Sequence, residues 1–220
     1  MITTLRPAAD ASAELEIKRS RFLAHLARTP DEAAARDFIT TIKQRYPDAR
    51  HHCSAFVVVV PGQHDAEHSS DDGEPSGTAG RPMLDVLRGA GGEGEGLGEC
   101  CVVVVRYFGG VLLGTGGLVR AYGDATREVL RGLPLVRVAP RELLEVEAEH
   151  GDAGALEHGL SQFGWAPVER HYASRTTQLV LAVNDVQGAL ARIAELSGGR
   201  VKVRDLGASQ VEVPAGRLPG

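Results

Sequence analysis

The stretch that constrains this chain most runs from Cys101 to Asp124 and reads CVVVVRYFGGVLLGTGGLVRAYGD. Four consecutive valines at 102–105 form an apolar β-branched run, which is typical of a strand buried on both faces. A helical pattern resumes at Leu118. Five glycines lie between the two: Gly109, Gly110, Gly114, Gly116 and Gly117. A buried strand that leads through such a turn to a helix N-terminus directs free N–H groups toward one spot, which suits an anion.

Length and composition set the class of protein. The chain has 220 residues, 43% hydrophobic and 24% charged, as in soluble globular proteins with room for two domains. The net charge of −5 does not indicate nucleic-acid binding by the whole chain. However, residues 101–141 carry six arginines and two acids, whereas residues 61–100 carry nine acids and two arginines. A local basic face is therefore compatible with the acidic total.

The cysteine and hydropathy patterns indicate the cellular compartment in which the protein is expected. Cys53, Cys100 and Cys101 form no C-x-x-C spacing, so neither a disulfide framework nor a zinc site is indicated. No stretch approaches the ~18 apolar residues of a membrane span, and the amino end lacks the pattern of a secretion signal. We expect a cytoplasmic protein with no membrane association.

The order of elements predicts an α+β protein. Alternating apolar residues predict strands over 14–20 and 21–27, and we interpret the basic Lys18 to Arg21 segment that they share as a solvated turn. The next helix is predicted to begin with Thr29 as its N-cap and to end at Pro47.

The second half of the chain predicts a separate domain. Residues 142–203 have the order strand, helix, strand, strand, helix, strand, which is the split β-α-β arrangement of ferredoxin-like domains. Pro61 to Gly80 form a long polar loop, either functional or disordered. The predicted organisation is a first domain at 14–139, a boundary near Pro140, a second domain at 141–206, and flexible termini at 1–13 and 207–220.

The glycine-rich turn fits neither common nucleotide-binding fingerprint. A P-loop needs lysine and a hydroxyl after its second glycine, whereas Thr115 and Gly116 follow Gly114. The dinucleotide fingerprint needs a third glycine where this chain has Val119. Binding of a phosphate backbone stays open, with close packing of strand, turn and helix as the structural alternative. The candidate residues for that anion or nucleic-acid site are Arg106, Gly116, Gly117, Arg120, Ser76 and Thr78.

A second set of polar residues lies before the valine strand. Its members are His51, His52, Asp71, Asp72 and Glu74. Their spacing matches no standard metal site, so we predict no metal and no cofactor. The acids are also candidate acid/base groups of an enzyme. A Cys53 nucleophile with a histidine base is the other catalytic alternative, and a buried structural cysteine is favoured over it.

Three strings resemble the signature blocks of the YigZ/IMPACT family. They are Arg50-His51-His52-Cys53, the SDDGEPSGTAGRP string ending at Pro82, and VVVVRYFGGVLLGTGGLVRAY from Val102 to Tyr122. The resemblance covers roughly Glu16 to Arg131. It implies an α/β amino-terminal domain like the second domain of a small-subunit ribosomal protein. It also implies a ferredoxin-like carboxy-terminal domain like the last domain of the ribosomal translocase.

The resemblance also carries expectations about function. Eukaryotic members regulate translation during amino-acid starvation by binding a large activator of a stress kinase, and nucleic-acid or ribosome association has been suggested for bacterial members. We therefore expect a binding or regulatory factor rather than an enzyme, with RNA, the ribosome or a protein of translation control as its partner. The alternatives are an enzyme acting on an anionic or phosphorylated small molecule and a protein-interaction module.

Overall fold

The valine run forms the centre of strand β7, Cys100–Tyr107, in the computed structural model of the chain. The structure describes residues 3–7, 9–60, 64–90 and 95–218. These divide into two units, one reaching to Arg137 and including the residues from Val213 onward, the other spanning Val138–Glu212. The protein is thus a two-domain α+β protein, as its sequence predicts.

The remaining elements of the described residues are strands and helices in mixed order. Strands of the first unit are β1 Thr3–Pro7, β2 Ala11–Ile17, β3 Ser20–Arg28, β4 His51–Val58, β5 Ala66–Ser70 and β6 Glu95–Leu97. Its helices are α1 Glu32–Arg45, α2 Gly80–Gly89 and α3 Thr115–Leu130. The later elements are β8 Pro134–Glu149, α4 His150–Ser161, β9 Pro167–Tyr172, β10 Thr176–Val183, α5 Val186–Ser197 and β11 Lys202–Arg217.

The main sheet of the first unit has the antiparallel order β2-β3-β7-β4-β5. β7 lies at its centre, and all four valines are fully buried. Val102 and Val104 face α2 and α3, whereas Val103 and Val105 face α1. The strand is therefore covered on both faces, which is why no polar residue interrupts it.

Helix α1 begins two residues later than its sequence predicts. Asp31 is the N-cap, with its carboxylate accepting a hydrogen bond from the backbone N–H of Ala34 at 2.8 Å. The prediction of Thr29 as the cap was wrong. Thr29 is buried instead, and its backbone N–H donates to the carbonyl of Glu99.

Regular structure also extends into segments predicted to be loops or flexible ends. β5 lies inside the predicted Pro61 to Gly80 loop and pairs with β4; residues 61–63 lie outside the described part. At the two ends of the chain, β1 pairs with the beginning of β8, and β11 continues to Arg217. The expected termini at 1–13 and 207–220 are thus strands over much of their described length.

The second unit has the predicted element order. Its sheet runs β9-β10-β8-β11, which is the strand order of a ferredoxin-like fold. Alternate residues of β8, such as Leu144 and Val146, face α4 and α5 and form the core with Leu181 of β10. Trp165 packs half-buried against this core.

Candidate functional site

A buried ion pair joins the acidic loop to the valine strand. Glu74, from the loop, accepts hydrogen bonds through Oε1 from Arg106 Nη1 at 2.6 Å and from Tyr122 Oη at 2.8 Å. Only 4% of the Glu74 side chain and 7% of the Arg106 side chain are exposed. Because Arg106 is the penultimate residue of β7 and Tyr122 lies on α3, the loop is fixed to both. The guanidinium of Arg106 is therefore paired with a carboxylate inside the protein, whereas the sequence predicted that it would bind a phosphate.

Asp71 organises the same loop from its other end. Its carboxylate accepts backbone hydrogen bonds from Gly77 at 2.7 Å and from Ala79 and Gly80 at 2.9 Å each. It thereby satisfies N–H groups at the start of α2, whose N-cap Ala79 has no side-chain hydrogen bond to offer. Partial burial raises the pKa of Asp71, but the three donors outweigh it and hold the pKa below its ordinary value.

Asp72 connects the loop to α1 and β4. Its carboxylate binds Lys43 Nζ at 2.8 Å and accepts the backbone N–H of His52 at 2.7 Å. Burial opposes ionisation, yet these donors lower the pKa of Asp72. The two imidazoles are engaged with carbonyls, His51 with Asp72 and His52 with Tyr46, each at 2.9 Å. The His51-His52 and Asp71-Asp72 pairs thus hold the loop, α1 and β4 together through hydrogen bonds.

Cys53 is a structural residue of the core. Its side chain is fully buried, and Sγ donates to the carbonyl of Asp71 at 3.0 Å. Burial raises the pKa of the Cys53 thiol to about 12, so that it stays protonated at neutral pH. Burial likewise raises the pKa of the neighbouring Tyr122, with Cys53 and Glu74 adding to the effect. A thiolate nucleophile is incompatible with this environment.

The predicted anion-site residues are only partly brought together. Gly116 and Gly117 lie in the first turn of α3, which follows Gly114 at φ 71° and has no side-chain N-cap. Arg120, one turn further on, is exposed on the same helix face as Gly116. Ser76 is exposed, whereas Thr78 is buried and donates to the carbonyl of Pro75.

The basic hairpin turn, which its sequence predicts to be solvated, is exposed and packs against the glycine-rich turn. Lys18 and Arg19 connect β2 and β3 with positive φ angles of 48° and 67°. Gly109 packs directly on this turn, since a Cβ there would lie 2.0 Å from the carbonyl carbon of Arg19. The Gly109 N–H also donates to Ser20 Oγ at 3.1 Å. The glycine is thus required by close backbone contact.

Apolar side chains project from the same glycine loop. Phe108 is 53% exposed, Val111 40% and Leu112 83%. The guanidinium of Arg106 lies 5.7 Å from the centroid of the Phe108 ring, and contacts it from the buried side. We call the set Lys18, Arg19, Phe108, Leu112 and Gly116 the turn surface. It combines two cations, an exposed aromatic ring and the start of a helix without a side-chain N-cap.

Among the described residues, no cluster of three or more His, Cys, Asp or Glu side chains has the geometry to hold a metal ion. Within the same ranges, every helix is too short or too polar to cross a membrane.

These features define a two-domain α+β protein whose acidic loop is bound to the valine strand and to the helix that follows the glycine-rich turn. The model of the Impact N-terminal domain matches residues 18–130. The IMPACT family member YigZ of Escherichia coli is 39% identical over 204 residues, which cover 92% of this chain and 98% of the relative. The IMPACT family member YvyE of Bacillus subtilis is 36% identical over 87% of this chain and 86% of its own length. The chain belongs to the IMPACT family.

A solved structure agrees with this assignment. It is a crystal structure described as that of a hypothetical protein, 39% identical in sequence and covering 92% of this chain and 97% of its own. Its TM-score to this chain is 0.58. The resemblance inferred from the three sequence strings is thereby confirmed.

Proposed function

We propose that the protein is a non-catalytic binding factor in translation-related processes, and that it binds single-stranded RNA through the turn surface. The observation that carries the proposal is the close contact between Gly109 and the Lys18–Arg19 turn. It holds two cations beside an exposed aromatic ring on a loop that leads to a helix N-terminus. The family's role in translation control, expected from the sequence, supports the same conclusion.

Each part of the turn surface suits one feature of RNA. Lys18 and Arg19 are exposed and can contact phosphates, while a free helix start offers oriented N–H donors to an anion. The exposed ring of Phe108 can stack on an unpaired base. Arg106, buried beneath that ring, supports Phe108 instead of reaching a phosphate. Arg120 extends the basic character along α3 and remains a predicted phosphate contact.

The acidic loop favours binding over catalysis. Asp71, Asp72 and Glu74 all direct their carboxylates at partners inside the protein. Donors of the protein itself engage each of these carboxylates, which favours a structural role for them over acid/base catalysis. We therefore assign the loop the task of holding β7 and α3 in place beneath the turn surface.

The test is the affinity for a fluorescent single-stranded RNA, measured by polarisation across a salt series. The variant Lys18→Asn/Arg19→Gly removes two cations, and it retains the fold because Asn and Gly adopt positive φ more readily than Lys and Arg. If both cations contact phosphates, the slope of log affinity against log salt falls by about 1.4. Phe108→Ala weakens binding by roughly 1–3 kcal/mol if the ring stacks on one base.

The matched control is Arg36→Gln/Arg131→Gln, which removes two exposed charges of the same unit. Arg131 follows the end of α3 opposite to Gly116, and Arg36 lies on α1, which follows the end of β3 opposite to the Lys18–Arg19 turn. This control should leave the salt slope nearly unchanged. RNA binding that is absent, or that is equally reduced by both double variants, would remove the proposal.

The aliphatic residues of the loop favour a second function, recognition of a protein. Leu112, 83% exposed, can anchor a partner but has no ring to stack on a base. A protein partner would be captured after nuclease treatment, and Leu112→Asp would abolish that capture. RNA affinity that stays intact in Leu112→Asp would assign the two ligands to separate parts of the surface.

A further inference from the structure

An open cleft of about 700 Å³ lies between α2 and α3, away from the buried Glu74 and Arg106 pair. Val86 and Ala90 line it on the α2 side, and Val119 and Leu130 on the α3 side, with Leu218 from the end of the described chain. Its volume falls within the range of small-molecule sites, roughly 300–1,000 Å³. The cleft is large enough for a ligand and is apolar at its base.

Small residues account for the depth of the cleft. Gly89 has no atom within 4 Å of the position of a Cβ. Gly123 is buried on α3, and a Cβ there would meet only the guanidinium of Arg127 at 3.5 Å. Larger side chains at either position would extend into the space between the helices.

Three arginines line the α3 side of the cleft, and only two of them form an ion pair within the described ranges. Arg127 pairs with Asp124 at 2.5 Å, and Arg131 pairs with Glu128 at 2.8 Å. For Arg120, by contrast, no ion pair or hydrogen bond of the guanidinium is found within the described ranges. The cleft therefore presents one uncompensated cation above an apolar base.

On the opposite rim the negative charge is neutralised. Asp85 of α2 pairs with Arg81 at 3.1 Å and lies 3.7 Å from Arg88. An incoming anion therefore meets an acid that is already paired and an arginine that is not. This arrangement selects against cationic ligands, which would have to compete with Arg81 and Arg88 for Asp85.

We propose that this cleft binds a small anionic amphiphile, with a phosphate or carboxylate head on Arg120 and an apolar body against Val86, Val119 and Leu130. The head alone would leave the apolar base in contact with water, and an apolar molecule alone would leave Arg120 unpaired. A ligand with both parts satisfies both. This ligand differs from RNA in size and in its need for a hydrocarbon body.

The test is calorimetric titration of the full chain with octyl phosphate below its micelle concentration. Octyl phosphate should bind, whereas inorganic phosphate and octyltrimethylammonium should bind at least tenfold more weakly. Arg120→Gln should weaken octyl phosphate binding about tenfold, the effect of losing one charge-assisted hydrogen bond. The control Arg127→Gln lines the same cleft but removes an already paired cation, so its effect should be under about threefold.

Two further variants separate a filled cleft from a failed fold. Gly123→Leu occupies the cleft and should abolish binding; Val119→Asp, at a position 39% exposed, should do so by repelling the head. Thermal unfolding identifies any variant that has lost its structure. Equal binding in Arg120→Gln and Arg127→Gln, or undiminished binding in a folded Gly123→Leu, would overturn the proposal.

Arg120 also belongs to the predicted phosphate contacts, so the two proposals need a variant that tells them apart. Lys18→Asn/Arg19→Gly should bind octyl phosphate like the unaltered chain while losing affinity for RNA. Loss of both ligands in this variant would place the amphiphile on the turn surface and overturn the cleft proposal. If the unaltered chain binds octyl phosphate but not RNA, the RNA proposal fails and the cleft proposal is retained.

Discussion

At the scale of single residues, the buried pair Glu74 and Arg106 is expected to contribute strongly to stability. Both side chains are more than nine-tenths buried, so each needs the other's charge. The pair is incompletely satisfied, because Arg106 Nε is buried without a hydrogen-bond partner among the described residues. A buried guanidinium that lost its carboxylate would be left uncompensated in a low-dielectric environment.

Glu74→Gln is therefore expected to lower the free energy of unfolding by about 3 kcal/mol. The measurement is urea denaturation followed by circular dichroism. Asp124→Asn, which breaks the exposed pair with Arg127, is the control and should change stability by less than about 1 kcal/mol. Similar effects of the two substitutions would mean that the Glu74 pair is solvated in solution.

The sequence did not predict this pair, for a physical reason. Glu74 and Arg106 are 32 positions apart, and their contact depends on the register of β4 against β7 and on the path of the acidic loop. The same holds for Lys18 and Arg19, whose basic character was visible but whose contact with Gly109 was not. Residue types could be predicted for the site, and their pairing could not.

At the scale of elements, the start of α1 shows how local signals compete. Thr29 followed by Pro30 and Glu32 has the pattern of a helix start, yet Asp31 caps the helix. Thr29 is drawn into the core by its neighbours on β3, and its hydroxyl has no hydrogen-bond partner in the described part of the chain. Tertiary burial therefore overrides the local pattern.

Substitutions at these two positions should affect stability differently. Asp31→Ala removes a cap and should destabilise the protein by about 1 kcal/mol. Thr29→Val keeps the shape while removing an unsatisfied buried hydroxyl, and should leave stability unchanged or raise it by about 1 kcal/mol. Thermal unfolding of both variants gives the comparison. Thr29→Val as the more destabilising of the two would restore Thr29 as the cap.

Elements with strong periodicity were predicted well, and edge elements were not. The valine run identified β7 because only a strand covered on both faces tolerates four consecutive β-branched residues. By contrast, β5 reads Ala-Glu-His-Ser-Ser and lies at the edge of its sheet, where little apolar character is needed. Residues from Gly207 onward were predicted to be a flexible tail, but most of them belong to β11. This strand accommodates Gly207 and Gly216 at positive φ.

At the scale of the whole molecule, the two units follow from different kinds of pattern. The second unit was predicted from element order alone, because the split β-α-β sequence of elements permits few sheet topologies. The first unit needed the three motif strings as well, since its helices lie on both faces of a sheet whose central strand, β7, pairs with strands that are distant in the chain.

The buried cysteines and the tryptophan provide a separate reporter for each unit. All three cysteines of the chain are buried in the first unit. The single tryptophan of the chain, Trp165, lies in the second unit. Because burial holds the pKa of Cys53 and Cys100 near 12, a thiol reagent should react at neutral pH only after the first unit opens. Tryptophan fluorescence follows the second unit over the same denaturant series. Prompt thiol labelling of the native protein would contradict this expectation.

Because the two reporters lie in different units, the unfolding of each unit can be followed separately in the unaltered chain, without an added label. Glu74→Gln should shift the denaturant midpoint for thiol exposure by more than the midpoint for Trp165 fluorescence. Equal shifts would show that the two units unfold cooperatively. The same pair of signals would report which unit gains stability when RNA or octyl phosphate is added, and so locate a ligand before any complex has been crystallised.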